Sequence, residues 1–259
     1  MRRLFDLLAL LIVAGYVWLA AGTESGAADP VWRRATERGV LVAGSDAGFR
    51  PFAEVVDGQW RGYDIELVNE IGRRLGLRVE WRQVGYDALF SAVDAGNPNQ
   101  VDLLAAGIVL NPGEAWRASF SRPYFDAGQQ AVAPVSGTLR GLDDLAGRTV
   151  AVQLGSGGET ALRAFATSRP LTVANQPLSQ AAALELALAG GADAAVVDNA
   201  SALPYVQRGR LRYLGGLTFE PYVLALPVAG YQLRAEIDRV LAELEAEGWI
   251  AELNRRWFP

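Results

Sequence analysis

From residue 39 onward, short apolar runs alternate with stretches of helical periodicity, the order expected of an α/β fold. Gly39-Val40-Leu41-Val42-Ala43-Gly44 reads as a buried strand, and so does Val101-Asp102-Leu103-Leu104-Ala105-Ala106-Gly107. Between them Ile65, Val68, Ile71 and Leu75 share one helical face, with Asp64 placed to cap that helix and Gly76 to stop it. Leu77, Val79 and Trp81 alternate with Arg78, Glu80 and Arg82, the period of a half-buried strand. Asp87 to Val93 is expected to be helical.

A second unit begins near residue 139. Leu142-Asp143-Asp144-Leu145 predicts a short helical turn, and Thr149 to Val152 a strand that runs into Gly155-Ser156-Gly157-Gly158. A helix is expected from about Glu159, a strand over Leu171 to Val173, a helix over Gln180 to Ala189 and a strand over Asp193 to Asp198. Tyr222 to Leu226 is a further strand. A long helix follows with Leu233, Ile237, Val240, Leu241 and Leu244 on one face, and then an aromatic-weighted helix from Gly248 to Phe258. Two strands thus open into glycine-containing turns, at residues 44–48 and 155–158, and such strand ends are where open α/β sheets place ligands.

The amino terminus has a different character. Arg2-Arg3 precedes an apolar or small-residue run of 16, Leu7 to Gly22, and small residues follow at Gly26-Ala27-Ala28. Residues 1–28 therefore read as an export signal or a membrane anchor, which places the rest outside the cytoplasm. Composition then removes whole reaction classes. The chain of 259 residues has no His and no Cys, and all 24 basic residues are Arg. Imidazole-based triads, thiol nucleophiles, lysine Schiff bases and His/Cys zinc sites are excluded. Without Cys there is also no disulfide framework and no lipid-modified cysteine. A net charge of −5 with no concentrated basic face argues against nucleic acid.

Several stretches, in this order, resemble the periplasmic polar amino-acid-binding proteins, the family 3 solute receptors of ABC importers. They are Val42 to Asp46 with Pro51-Phe52, Gly62-Tyr63-Asp64-Ile65-Glu66-Leu67, Phe120 to Phe125, Val152 to Ser156, Asp198-Asn199, and Ala251 to Phe258. The resemblance implies a two-lobed type II periplasmic-binding-protein fold, each lobe a mixed sheet flanked by helices, joined by two hinge crossings. Lobe one would hold residues 31–127 plus 224–259 and lobe two residues 134–218. It also implies a binding protein, a monomer that carries a small polar or cationic solute to a membrane permease, with no cofactor or metal.

By position, the family's ligand-binding residues fall on Asp46, Phe49, Tyr86, Ala106, Gly107, Val109, Glu114, Ser156, Gly157 and Asp198. Phe49 and Tyr86 would supply aromatic faces, Ala106 and Gly107 main-chain groups, and Asp198 an anion for a ligand ammonium. Three positions depart from the pattern. Val109 stands where the family has a hydroxyl, Glu114 where it has the arginine that grips the ligand carboxylate, and Gly157 where lobe two supplies a second hydroxyl. Arg117, Arg50 or the 155–158 turn are the candidates to hold a carboxylate instead. The other reading is a cationic ligand in an acidic cleft of Asp46, Glu114 and Asp198. Two further functions stay open on the same scaffold: a dehydratase-like enzyme using Glu114 or Glu159 as acid, and a membrane-anchored ligand sensor.

Overall fold

The computed structural model describes residues 29–94, 97, 100–174 and 177–259. The segment read as signal or anchor, residues 1–28, lies outside the described residues. Among those described, no helix is long and apolar enough to cross a membrane.

The first lobe opens with helix α1 (Pro30–Arg38) and strand β1 (Val40–Ser45). A small antiparallel sheet follows, β2 (Gly48–Phe49), β3 (Ala53–Val56) and β4 (Gln59–Arg61), its last turn made by Asp57-Gly58 with both residues at positive φ. Helix α2 (Tyr63–Arg74), β5 (Arg78–Gln83), β6 (Leu103–Val109) and the short β7 (Ser119–Phe120) and β8 (Phe125–Asp126) complete this pass. The chain then crosses into β9 (Gln129–Pro134), β10 (Thr149–Val152), α3 (Gly157–Ala166), β11 (Thr172–Val173), α4 (Gln180–Leu188), β12 (Ala194–Asp198), α5 (Asn199–Gln207) and β13 (Leu211–Gly216). It returns through β14 (Pro221–Leu226), α6 (Tyr231–Ala246) and α7 (Trp249–Trp257).

Each lobe is built on a mixed sheet. In the first the order is β5-β1-β6-β14-β7, with β1 parallel to β5 and β6, β14 antiparallel to β6, and β8 also on β14. In the second it is β11-β10-β12-β9-β13, with β9 antiparallel to both neighbours. The helical faces read from the sequence supply the core. Leu67, Val68 and Ile71 of α2 and Leu233, Ile237, Val240, Leu241 and Leu244 of α6 pack around Leu41, Leu103 and Leu224.

Buried acids tie the ends of these elements together. Asp29 is 1% exposed, and its Oδ1 caps α1 by accepting the N–H groups of Val31 and Trp32. Its other oxygen accepts Gln232 and Leu233 at the start of α6, so one carboxylate satisfies donors of two helices. Asp102, equally buried, accepts from Val42 N–H and pairs with Arg34 and Arg38 of α1.

Two local expectations are corrected. Residues 86–93 form two short 3-10 turns, Tyr86–Ala88 and Phe90–Val93, not an α-helix; only Leu89, Ala92 and Val93 there are buried. So short a run offers too little apolar face to propagate a helix. Asp64 does not cap α2 either. Gly62 takes the N-cap at φ 140, because a Cβ there would lie 2.0 Å from the Phe52 carbonyl oxygen. Asp64 is the second residue of the helix and turns into the core.

Gly62→Ala combines that clash with a backbone region closed to L side chains. It should lower unfolding free energy by more than about 3 kcal/mol in denaturant titration. Gly76→Ala, where a Cβ meets nothing within 4 Å, should cost only about 1 kcal/mol.

Candidate functional site

The lobes join where the two crossings run side by side. Leu217 N–H donates to Gln129 O at 2.8 Å and Ala127 N–H to Glu220 O at 3.0 Å. The Asp126 carboxylate accepts Gly128 and Glu220 N–H at 2.9 and 3.0 Å, and Gln129 N–H donates to Thr218 Oγ1 at 2.8 Å. The segments approach so closely that a Cβ on Gly128 would sit 2.3 Å from Thr218 O. Helix α5 leans on the same junction, with Ala200 and Leu203 packed against the first lobe's core.

A cavity of about 410 Å³ opens at this junction, lined by residues of both lobes and of the crossings. Its aromatic wall is Phe49, Phe52 and Tyr222: the two Phe rings stack at 5.2 Å, and Tyr222 meets Phe52 edge-on at 5.2 Å. Asp198 and Glu220 bring carboxylates to it. Asp198 ends β12 and caps α5, its Oδ1 accepting Ser201 N–H at 2.7 Å. Glu220 Oε1 accepts the Thr218 hydroxyl at 2.8 Å. Arg50 is the one cationic residue among the lining groups, and its Nε lies 2.7 Å from Glu54.

A neighbouring cavity of about 560 Å³ is lined by Tyr86, Phe90, Ala106, Gly107, Val109 and Glu114, among others. Tyr86 is 75% exposed at its mouth. The two cavities share a partition. Phe49 lies against Gly107 so tightly that a Cβ there would be 2.2 Å from the ring. Gly107 has φ +56, and the β6–β14 register shifts between the Ile108–Val223 and Leu104–Ala225 pairs, which marks a bulge. Its N–H is accepted by Asp64 Oδ2 at 3.0 Å, and Tyr124 Oη donates to Asp64 Oδ1 at 2.8 Å. Asp64, displaced from its expected capping role, therefore fixes a cleft backbone position from inside the core. Burial outweighs those two hydrogen bonds and pushes its carboxyl up to about 7.

The sequence-derived site residues distribute as follows. Tyr86, Ala106, Gly107, Val109 and Glu114 come together in the second cavity, while Phe49 and Asp198 meet in the first. Asp46 lies outside both lining sets, its Oδ1 accepting Gly48 N–H of its own loop at 3.3 Å. Ser156 caps α3 through Glu159 N–H and donates to Gln153 O. A Cβ at Gly157 or Gly158 would meet the Gln129 side chain at 3.8 or 2.8 Å, and Gln129 itself lines the first cavity. Glu114 Oε2 and Arg117 lie 3.7 Å apart, an ion pair without a hydrogen bond, with the Arg117 guanidinium over Phe90 at 5.0 Å. Glu159, the other candidate acid, accepts Gly155 N–H at 2.7 Å and pairs with Arg163.

Glu220 and Gln129 carried no sequence signal. They belong to the crossings, whose position follows from how two distant segments pair.

The family model for bacterial extracellular solute-binding proteins, family 3, matches residues 41–259. A Vibrio harveyi protein named for amino-acid ABC transport is 29% identical over 224 residues, 84% of this chain and 88% of its own length. Among solved structures, an ancestral cationic amino acid solute-binding protein is 26% identical at a TM-score of 0.63, with 88% of this chain and 99% of that one covered. A Streptococcus thermophilus polar amino acid ABC uptake substrate-binding protein is 23% identical at a TM-score of 0.76, covering 90% and 92%. This last likeness concerns the fold.

Because the folded state holds the Asp64 proton up to about pH 7 and an unfolded aspartate releases it near 3.9, Asp64 lowers stability progressively as pH rises between those values. Below about pH 4 the group costs nothing through this linkage. Asp64→Asn should remove this dependence: the pH-dependent part of its stability difference from wild type should grow in the variant's favour from pH 4 to 7, by on the order of 4 kcal/mol, and then level off. Denaturant titrations at several pH values test it, and parallel curves for the two proteins would refute it.

Proposed function

This chain belongs to the bacterial extracellular solute-binding proteins, family 3, and from that premise we propose that it is an extracytoplasmic receptor that captures a basic amino acid between its lobes and hands it to an ABC permease. It acts as a monomer and performs no chemistry on its ligand. Lobes of residues 31–127 plus 224–259 and 134–218 close about the crossings, the hinge mode in which binding is read as a change of shape. The apolar Leu7 to Gly22 segment directs export or holds the domain at the membrane.

One observation carries the reading of charge. The first cavity offers Asp198 and Glu220 against an aromatic wall, and its one lining cation, Arg50, is already paired. With Arg50 balanced by Glu54, the lining leaves the two negative charges of Asp198 and Glu220, the complement of a ligand that carries positive groups. An ammonium or guanidinium there gains charge-assisted hydrogen bonds and attraction to the ring faces of about 0.5–2 kcal/mol. On binding, Arg50 exchanges its contact with Glu54 for the ligand carboxylate. Glu114, in the position of the family's carboxylate-gripping arginine, lines the neighbouring cavity and has Arg117 as its nearby counter-charge at 3.7 Å.

Thermal unfolding with added solutes tests this, because a ligand that binds only the folded state raises Tm by mass action. L-arginine and L-lysine should stabilise and L-glutamate should not. Stabilisation by L-glutamate alone would sink the proposal. Asp198→Asn should weaken L-arginine binding by about 1–3 kcal/mol in calorimetric titration. Since Asn caps helices about as well as Asp, the unliganded Tm should change little.

A further inference from the structure

We propose that Gln180 is a positioning residue that holds the Asp198 carboxylate toward the inter-lobe cavity; this rests on the reading of Asp198 as the cation-binding group. Gln180 is not among the residues lining that cavity. It is the first residue of α4, a helix capped by Ser179, and stands half-buried behind Asp198. Its amide grips residue 198 at two points. Oε1 accepts the Asp198 backbone N–H at 2.7 Å, and Nε2 donates to Asp198 Oδ2. Ser201 N–H takes Oδ1 from the start of α5.

The consequence follows from acceptor geometry. An ionised carboxylate presents about four lone-pair directions. Two are occupied from within lobe two, one on each oxygen, so both torsions of the side chain are held. Two remain, on a residue that lines the cavity with Phe49 and Tyr222. An unheld aspartate would lose its rotamer freedom at the moment of binding, whereas here that loss is taken during folding.

Glutamine suits the place because it carries a donor and an acceptor on one planar group at the required reach. Glutamate would set a second carboxylate against Asp198, and asparagine is one methylene shorter.

Gln180→Met keeps length and volume and removes both polar contacts. Three measurements on the full chain decide the proposal: amide hydrogen exchange at residue 198 without ligand, L-arginine affinity by calorimetry, and unliganded Tm. Exchange at Asp198 should accelerate and L-arginine should bind about tenfold more weakly, equivalent to about 1.4 kcal/mol, while Tm shifts by less than about 2 °C. On an Asp198→Asn background the same substitution should add almost nothing, since its effect passes through that carboxylate.

Unchanged exchange overturns the clamp. Faster exchange with unchanged affinity, or a lower Tm alone, shows a purely structural contact and overturns the positioning role. Multiplicative losses in the double variant overturn the route through Asp198. If the wild-type protein does not bind L-arginine, the basic amino-acid reading fails, and residue 198 exchange then decides the clamp by itself.

Discussion

Two backbone segments, residues 126–129 and 216–221, run against each other where the lobes meet, and their main-chain pairing governs the cleft. Hydrogen bonds between Leu217 and Gln129 and between Ala127 and Glu220 bring the crossings so close that residue 128 has no room for a side chain. That approach places Gln129, Glu220 and Tyr222 around one cavity, although 91 positions, 129 to 220, separate the first two. It also sets α5 against the first lobe's core, so that Asp198 at the head of that helix lines the same cavity as Phe49 and Phe52.

Charge within the molecule follows a consistent rule: an acid that is buried has its acceptors filled. Asp29 serves two helix starts, Asp102 two arginines and a strand amide, and Asp64 a tyrosine and a bulged glycine. Of these, Asp64 has no cation, and its carboxyl is the one pushed up to about 7. At the cleft the pattern changes. Glu114 has the Arg117 cation 3.7 Å away in its own turn, whereas Asp198 and Glu220 meet only neutral donors in the hydrogen bonds that hold them. Negative charge held by dipoles rather than by a cation is the arrangement that a positive guest completes.

The alternating pattern was sufficient to read most strands and the long helices. Leu233, Ile237, Val240, Leu241 and Leu244 are all buried on one face of α6. That periodicity is local, and burial of an apolar stripe is the dominant energy of such a helix. The short segments were less legible. Residues 87–93 were expected to be helical and lie in two 3-10 turns, and Asp64 was placed as a cap where Gly62 serves. In the second case the reason is non-local, since the Phe52 carbonyl that excludes a side chain at residue 62 arrives from the small sheet.

Composition ruled out imidazole, thiol and lysine chemistry, periodicity indicated two α/β units, and motif order pointed to the family. All three are carried by residue identity and near-neighbour spacing, which do not depend on how the chain is packed. The division of the candidate residues between two cavities, the turning of Arg117 onto Glu114, the appearance of Glu220 beside Asp198 and the support from Gln180 come instead from contacts between distant segments. Their partners are chosen by strand pairing and by the bulge at Gly107, and three-dimensional closure is what brings those side chains within reach of one another.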